Sequence, residues 1–369
     1  MSAWRPRDPS DAAPLAGVRV LDFSELLPGP FLTQSLVEMG ADVLKVERPP
    51  HGDHVRRVGP ALFAAVNRGK RSWLADLKDP AQRDAVAALA EQADVLIEGY
   101  RPGVMARLGL DHGTLARRNP RLIVLSLSGY GSDGPRASWP GHDINYLAAA
   151  GIVSMAVKPG AESPSFGVPV ADLAGGIYAL AALNAALLQR ERTGRGQHLD
   201  VALADCMAHW MNSRLGSIWQ QPDAGIEAQR QPFQQRPGYG VFRCADGALL
   251  SLGALEDHFW QRLVEVLPLP AYAGAAHRHY LQRQPQGAAI NAAIQQVLGS
   301  EPRDAVLQRL AAADVPVSEV TLPVNLPAQP QFAARGLFET TASGPLCRFP
   351  VRLQAMPPMP QQAPELGEH

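Results

Sequence analysis

Two residues in this sequence, His142 and Asp172, are the best suited to carry a proton. His142 belongs to the run Gly141-His142-Asp143-Ile144-Asn145-Tyr146, and Asp172 stands directly before Leu173-Ala174-Gly175-Gly176. Histidine titrates near neutrality, so it serves as acid or base with little adjustment. Asp172 opens a long apolar segment, where the field of a helix start lowers a carboxyl pKa. A useful base there must therefore also be desolvated. Each glycine after it costs a helix roughly 1 kcal/mol against alanine, which implies that something approaches the backbone closely. A third group, Glu256 of Gly253-Ala254-Leu255-Glu256, sits at an expected helix start. Each residue also has a plain structural reading: Asp172 as a helix cap, His142 as a capping or core histidine, Glu256 as a favoured first-turn acid.

The elements that must position these groups read as alternating strands and helices. Strands are expected at Val18–Phe23, Asp42–Val46, Asp94–Ile97, Leu122–Leu127 and Gln197–Ala202. Helices are expected from Pro28 to Met39, from Ala81 to Gln92, near Val104–Leu108 and Thr114–Arg118, from Ile144 to Ala150, and from Asp172 through Leu188. That alternation predicts a parallel sheet covered on both faces, with ligands bound beyond the carboxyl ends of its strands. Those ends carry Arg48, the run Gly99-Tyr100-Arg101-Pro102 and Ser128-Gly129-Tyr130-Gly131, with Lys78 and Arg107 nearby. Arginines recurring at strand ends point to a polyanion such as a phosphorylated cofactor.

Composition limits the choices. Apolar residues make up 46% of 369 and charged residues 19%, an ordinary globular balance that exceeds one comfortable core. A net charge of −1 gives no global field toward nucleic acid or an anionic membrane, so neither is expected as a partner. Cys206, Cys244 and Cys347 are odd in number and far apart, which argues against a disulfide framework or a metal cage. The polar start, with Arg5, Arg7 and Asp8, has no signal-peptide pattern, and Leu173–Leu188 reads as too short to span a bilayer. A cytoplasmic location is expected. Gly129-Tyr130-Gly131-Ser132-Asp133-Gly134 matches G-x-G-x-x-G after a strand, but Pro135 and Pro140 follow where a dinucleotide site needs a helix.

Domain boundaries follow from composition. Residues 1–220 read as the first part of a large ligand-binding domain, with a helix-like segment from Asp205 to Trp219. A linker rich in Gln, Pro and Arg covers 221–238. A small domain at 239–320 holds a hairpin (Val241–Cys244, Leu249–Leu252), helices to Val266, at Ala288–Leu298 and Arg303–Ala312, and the strand-like Val315–Val320. Residues 321–369 return to the large domain, with an irregular tail after Met356.

Several runs, in order, resemble the family III CoA transferases of the CaiB/BaiF superfamily. They include Gly17-Val18-Arg19-Val20-Leu21, Gly40-Ala41-Asp42-Val43-Leu44-Lys45-Val46-Glu47-Arg48-Pro49, Asn67-Arg68-Gly69-Lys70, Ala75-Asp76-Leu77-Lys78, Glu98-Gly99-Tyr100-Arg101-Pro102-Gly103 and Thr193-Gly194-Arg195-Gly196-Gln197. The resemblance implies an α/β protein, with a Rossmann-like large domain that binds CoA without nicotinamide. It also implies a smaller α+β domain and an interlocked, ring-like homodimer. It contains two chemistries. Transferases use the carboxylate at Asp172 as a nucleophile. Racemases of α-methylacyl-CoA use Asp172 and His142 as two bases, with Glu256 supporting the histidine. Both the His142 motif and the Glu256 motif point to the racemase branch, so an acyl-CoA racemase or epimerase is expected, with CoA transferase as the alternative. CoA is then part of the substrate, and no metal or redox cofactor is expected. Residues matched to CoA binding are Arg48, Ala75, Asp76, Leu77, Lys78, Gly99, Tyr100, Arg101, Arg107, Gly141, Asp143, Ile144, Asn145 and Tyr146. Val153–Glu162 carries no legible acyl-pocket signature.

Overall fold

The computed structural model describes residues 4–5, 11–157 and 166–369. Arg7, Asp8 and the end of the stretch Val153–Glu162 lie outside the described residues. By its contacts the chain divides into one unit of Met1–Gly216 with Gln331–His369 and a second of Ser217–Pro330.

The first unit is built on six parallel strands: β1 (Arg19–Asp22), β2 (Asp42–Glu47), β3 (Arg71–Leu74), β4 (Val95–Glu98), β5 (Ile123–Ser128) and β6 (His198–Ala202). Their spatial order is β3-β2-β1-β4-β5-β6. Sequence order therefore reverses between β1 and β4, which register Leu21 against Leu96. Central strands buried on both faces read as continuous apolar runs, which is why β1, β2, β4 and β5 are plain in the sequence. Strand β3 is not anticipated by the sequence reading. It is four residues long, and its place is fixed by polar partners: Arg71 is bidentate to Asp42, and the Ser72 hydroxyl donates to Glu47 at 2.6 Å.

Helices cover both faces, with one apolar cluster on each side of the sheet. The helix Pro28–Glu38 begins on prolines, whose fixed φ suits a first turn. The helix Val170–Thr193 is longer than the expected segment, at 24 residues, and by length and composition it could cross a membrane. The earlier limit at Leu188 fails because the chain stays helical through Arg190, which pairs with Asp94 inside this unit at 3.0 Å. About half of the apolar stretch is buried in the protein, as in a core helix. Its start packs on two neighbours at the paired glycines. A Cβ on Gly175 would lie 2.1 Å from Leu203, and one on Gly176 would lie 3.0 Å from the Pro28 carbonyl and the Phe31 ring. The close approach expected there is made by the protein's own chain.

The expected helix 205–219 is broken at Met211 into Leu203–Trp210 and Asn212–Ile218. In the second unit β7 (Tyr239–Arg243), β8 (Leu249–Gly253) and β9 (Val317–Glu319) form an antiparallel sheet. The helices Asp257–Val266, Gly287–Leu298 and Arg303–Ala312 pack against it around Trp260 and Leu263. Part of the stretch read as linker is helical, at Ile226–Gln234. Back in the first unit, β10 (Phe338–Thr341) and β11 (Gly344–Cys347) form a hairpin. The tail has no regular element after it, but it is tied down: Gly367 N–H donates to the Ser72 hydroxyl, and Gly69 N–H to the Gln362 carbonyl.

Candidate active site

A cleft of about 570 Å³ opens beyond the carboxyl ends of β1, β4 and β5, at the reversal of strand order. This is where doubly wound sheets take ligands, because the chains leaving adjacent strands diverge to opposite faces. Ser24 and Glu25 come from the end of β1, Gly99–Pro102 from β4, and Leu127–Gly129 from β5. His142 and Asp172 line the same cleft.

Their juxtaposition has a local cause. His142 precedes the helix Asp143–Ala149 in extended conformation, and its N–H donates to Asn145 Oδ1 at 3.0 Å. One residue on, Asp143 Oδ1 accepts the N–H of Ala171 at 2.6 Å and of Asp172 at 3.3 Å. Asp143 thus satisfies the open N–H groups at the start of the 170–193 helix, a capping role usually held by a residue adjacent in sequence. Asp172 is in the helix's first turn and is not its cap. The turn bearing His142 is pinned in this way to the turn bearing Asp172. Tyr146 fixes it from behind: its hydroxyl donates to the Gly141 carbonyl at 2.6 Å. Its ring fills the space that a side chain at Gly129 or Gly141 would need.

The electrostatics follow from this geometry. Burial pushes the Asp172 carboxyl up to about 6, and Asp143 adds to the rise while His142 opposes it. The desolvation that a base at a helix start needs is present. Burial likewise raises Tyr100 and Tyr146 to about 12, so both hydroxyls keep their protons. Glu25, half-buried in the cleft wall, is also raised, first by burial and then by Asp53.

Of the residues expected at the site, Gly99, Tyr100, Arg101, Gly141, His142, Asn145, Tyr146 and Asp172 line the cleft. Asp143 supports it without lining it, and Ile144 is exposed on its helix. Arg48 follows β2, Ala75–Lys78 follow β3, and Arg107 ends the short helix Val104–Arg107. None of these six lines the cleft itself. Among the described residues Arg48, Lys78, Arg101 and Arg107 have no ion-pair partner, whereas Arg56, Arg68 and Arg71 are each paired to a carboxylate. Glu256 belongs to the second unit, where it precedes the helix Asp257–Val266. The sequence reading missed Ser24, Glu25 and Trp139. The signal available for Glu25 was its position just past a strand and just before Pro28-Gly29-Pro30.

The strand order defines a doubly wound α/β fold, with a histidine and a raised carboxyl in the cleft at its switch point. The model of CoA-transferase family III matches residues 15–369, and the chain belongs to that family. It is 33% identical to a succinate–glutarate CoA-transferase of Agrobacterium fabrum over 98% of this chain and 95% of that one. It is 37% identical to an alpha-methylacyl-CoA racemase of Homo sapiens over 69% of this chain and 65% of that protein. A CAIB/BAIF family protein from Brucella suis has the same fold, with a TM-score of 0.85 and 32% identity across 97% of both chains.

Proposed function

We propose that this protein is an acyl-CoA racemase or epimerase that moves a proton between the two faces of the carbon α to a thioester. One observation carries the reading: a carboxyl whose pKa lies at about 6 shares a cleft with a histidine held next to it by Asp143. The Asp172 carboxyl then exchanges protons near neutrality, and His142 stands beside it as the second base that a two-base reaction requires. Either His142 or Asp172 removes the α-proton, and the other returns one to the opposite face of the enolate. Backbone N–H groups of the cleft other than those of Ala171 and Asp172, which Asp143 occupies, stabilise the enolate oxygen. Glu256 is assigned to hold the His142 tautomer. The unpaired cations Arg48, Lys78, Arg101 and Arg107 take the CoA phosphates, with Ala75, Asp76, Leu77 and the loops at Gly99–Tyr100 and Gly141–Tyr146 along the arm. No metal or redox group is needed. The working unit is an interlocked homodimer in the cytoplasm. An exposed apolar row on the 170–193 helix, Ile177 and Leu188 with Ala181 and Ala185 between them, suits a subunit contact.

A second reading is CoA transfer between carboxylic acids, with Asp172 as nucleophile. It is favoured by the named transferases among the relatives that match almost end to end. Incubating the protein with a chiral 2-methylacyl-CoA in deuterated water, with no second acid, separates the two. The racemase exchanges the α-hydrogen for deuterium, and His142→Ala reduces exchange from one enantiomer more than from the other. Absence of exchange with several acyl chains, together with CoA transfer to an added acid, overturns the first reading in favour of the second.

A further inference from the structure

Glu25 is the ionisable residue of the cleft that neither reaction uses. Its carboxyl has no hydrogen bond or ion pair with any described residue, yet it is half-buried. A carboxyl withdrawn from water without a partner costs stability, so a cleft wall has no structural reason to hold one. The loop that presents it is clamped on both sides. Before it, the Ser24 N–H and hydroxyl both donate to Asp22, at 2.9 and 2.5 Å, and Lys45 Nζ donates to the Ser24 carbonyl at 2.6 Å. After it, the Leu26 N–H donates to Asp53 Oδ1 at 3.2 Å, and Leu26 is held at φ 66°. A non-glycine residue persists in that region only where its surroundings over-determine it. Fully buried Lys45 and Asp53 pair at 3.0 Å, so both clamps belong to one charged network. Glu25 thus sits between two residues whose backbones are held by hydrogen bonds to buried side chains.

The charges acting on Glu25 are Asp53, Lys45, Arg48 and Glu47, whereas those acting on Asp172 are Asp143 and His142. Glu25 reaches the cleft from the loop after β1 and Asp172 from the first turn of the 170–193 helix, so the two carboxyls enter it from different elements. We propose that Glu25 is a substrate-contacting residue that accepts a hydrogen bond from an N–H or O–H donor of the bound CoA thioester, away from the reacting carbon. The donor is an amide of the pantetheine arm or a hydroxyl on the acyl chain. This inference rests on the reading that a CoA thioester occupies this cleft.

The test is calorimetric titration of wild type, Glu25→Gln and Glu25→Leu with free CoA, acetyl-CoA and 3-hydroxybutyryl-CoA. Loss of a hydrogen bond to a charged acceptor corresponds to roughly tenfold weaker binding. A loss of that size in Glu25→Leu for all three ligands supports the proposal and places the donor in the CoA arm. A loss confined to 3-hydroxybutyryl-CoA supports it and places the donor on the acyl chain. Glu25→Gln keeps the shape and an acceptor oxygen, so it recovers part of the loss. If Glu25→Leu does not fold, Glu25→Ala, which also lacks an acceptor, carries the same comparison. Unchanged affinity for all three ligands in the folded variants overturns the role of Glu25 alone. A wild-type protein that binds none of them overturns the cleft reading and this inference with it.

Discussion

Asp22 and Asp172 lie in the same unit, and burial acts on both in the same direction, yet they end on opposite sides of the ordinary carboxyl value. Asp22 is fully buried, and desolvation alone would raise it. Lys70 and Lys45, with the hydroxyls of Ser24 and Thr33, overcome that and hold it below 3.8. Asp172 is less buried, but its close neighbour Asp143 adds to the rise, and His142 alone opposes it. Its pKa stands at about 6. Burial sets how much an isolated charge costs, and the neighbours decide which protonation state absorbs the cost. One carboxylate is thereby a permanent ion of the scaffold, and the other a group that gives and takes protons near neutrality.

Breaking the reactive side of this comparison has the largest expected effect. Asp172→Asn keeps the shape of the side chain but can neither accept a proton nor attack a thioester. Turnover should fall by about 10³-fold or more, the scale of losing a positioned base or nucleophile. A steady-state assay of exchange or of CoA transfer checks this. A loss below tenfold would remove Asp172 from the chemistry.

Breaking the scaffold side comes next. Asp22→Asn takes the counter-ion from Lys70, whose Nζ lies 3.3 Å away in a fully buried site. Leaving one member of a buried pair uncompensated costs at most about 3–5 kcal/mol, less where Lys70, already lowered by burial to about 7, sheds its proton, and urea unfolding should register it. The pH dependence carries a sign. The Asp22 pKa is depressed in the fold, so its contribution is present at neutral pH and is lost as pH falls through the folded value. In the variant the loss on the acid side of 3.8 should be smaller than in wild type, whereas Lys70, deprived of the charge that raises it, adds a loss as pH falls below about 7.

Asp172 should contribute with the opposite sign. Its folded pKa of about 6 exceeds the ordinary 3.8, so the fold is favoured by its protonated form and penalised as pH rises between the two. Asp172→Asn should therefore raise stability at pH 7 by about 1–2 kcal/mol, after discounting for partial solvent exposure. The gain should shrink toward zero as the pH approaches 3.8. The same substitution that removes activity should stabilise the protein, as expected where function holds a charge in an unfavourable place. Equal stability of variant and wild type from pH 4 to 8 would show that Asp172 is not desolvated.

How much of this could be read beforehand depended on distance along the chain. The Gly141–Tyr146 run and the strands of the central sheet are contiguous, and their patterns are complete within a few residues. Strand β3 was invisible because Arg71 and Ser72 have no apolar rhythm and take their positions from Asp42 and Glu47. The clamps on the Ser24–Leu26 loop come from residues 45 and 53, so nothing local marks Glu25 as fixed. Gly175 and Gly176 were legible as points of close approach, but what approaches them, Leu203, Pro28 and Phe31, is set by tertiary packing. Asp143 was legible as part of a motif, but its role as cap of a helix 28 residues on was not.

That cap gives the smallest and most discriminating test. Asp143→Asn retains an amide oxygen able to accept the Ala171 and Asp172 N–H groups, and Asn caps helices about as well as Asp. The turn bearing His142 should stay pinned to the 170–193 helix, and unfolding stability should change by less than about 1 kcal/mol. What disappears is the negative charge, which helps burial raise Asp172. The Asp172 pKa should then fall from about 6 toward 3.8, without reaching it because burial remains the larger cause. For CoA transfer, and for the enantiomer whose α-proton Asp172 removes, Asp172 acts as the carboxylate, so the acid limb of that pH–rate profile should move to lower pH. Activity at pH 5 should rise relative to activity at pH 7. If Asp143 serves only as a cap, the limb stays where it is in wild type. A limb displaced upward would mean that the Asp143 charge does not raise Asp172, and the contrast with Asp22 would then rest on the lysines and hydroxyls around Asp22 alone.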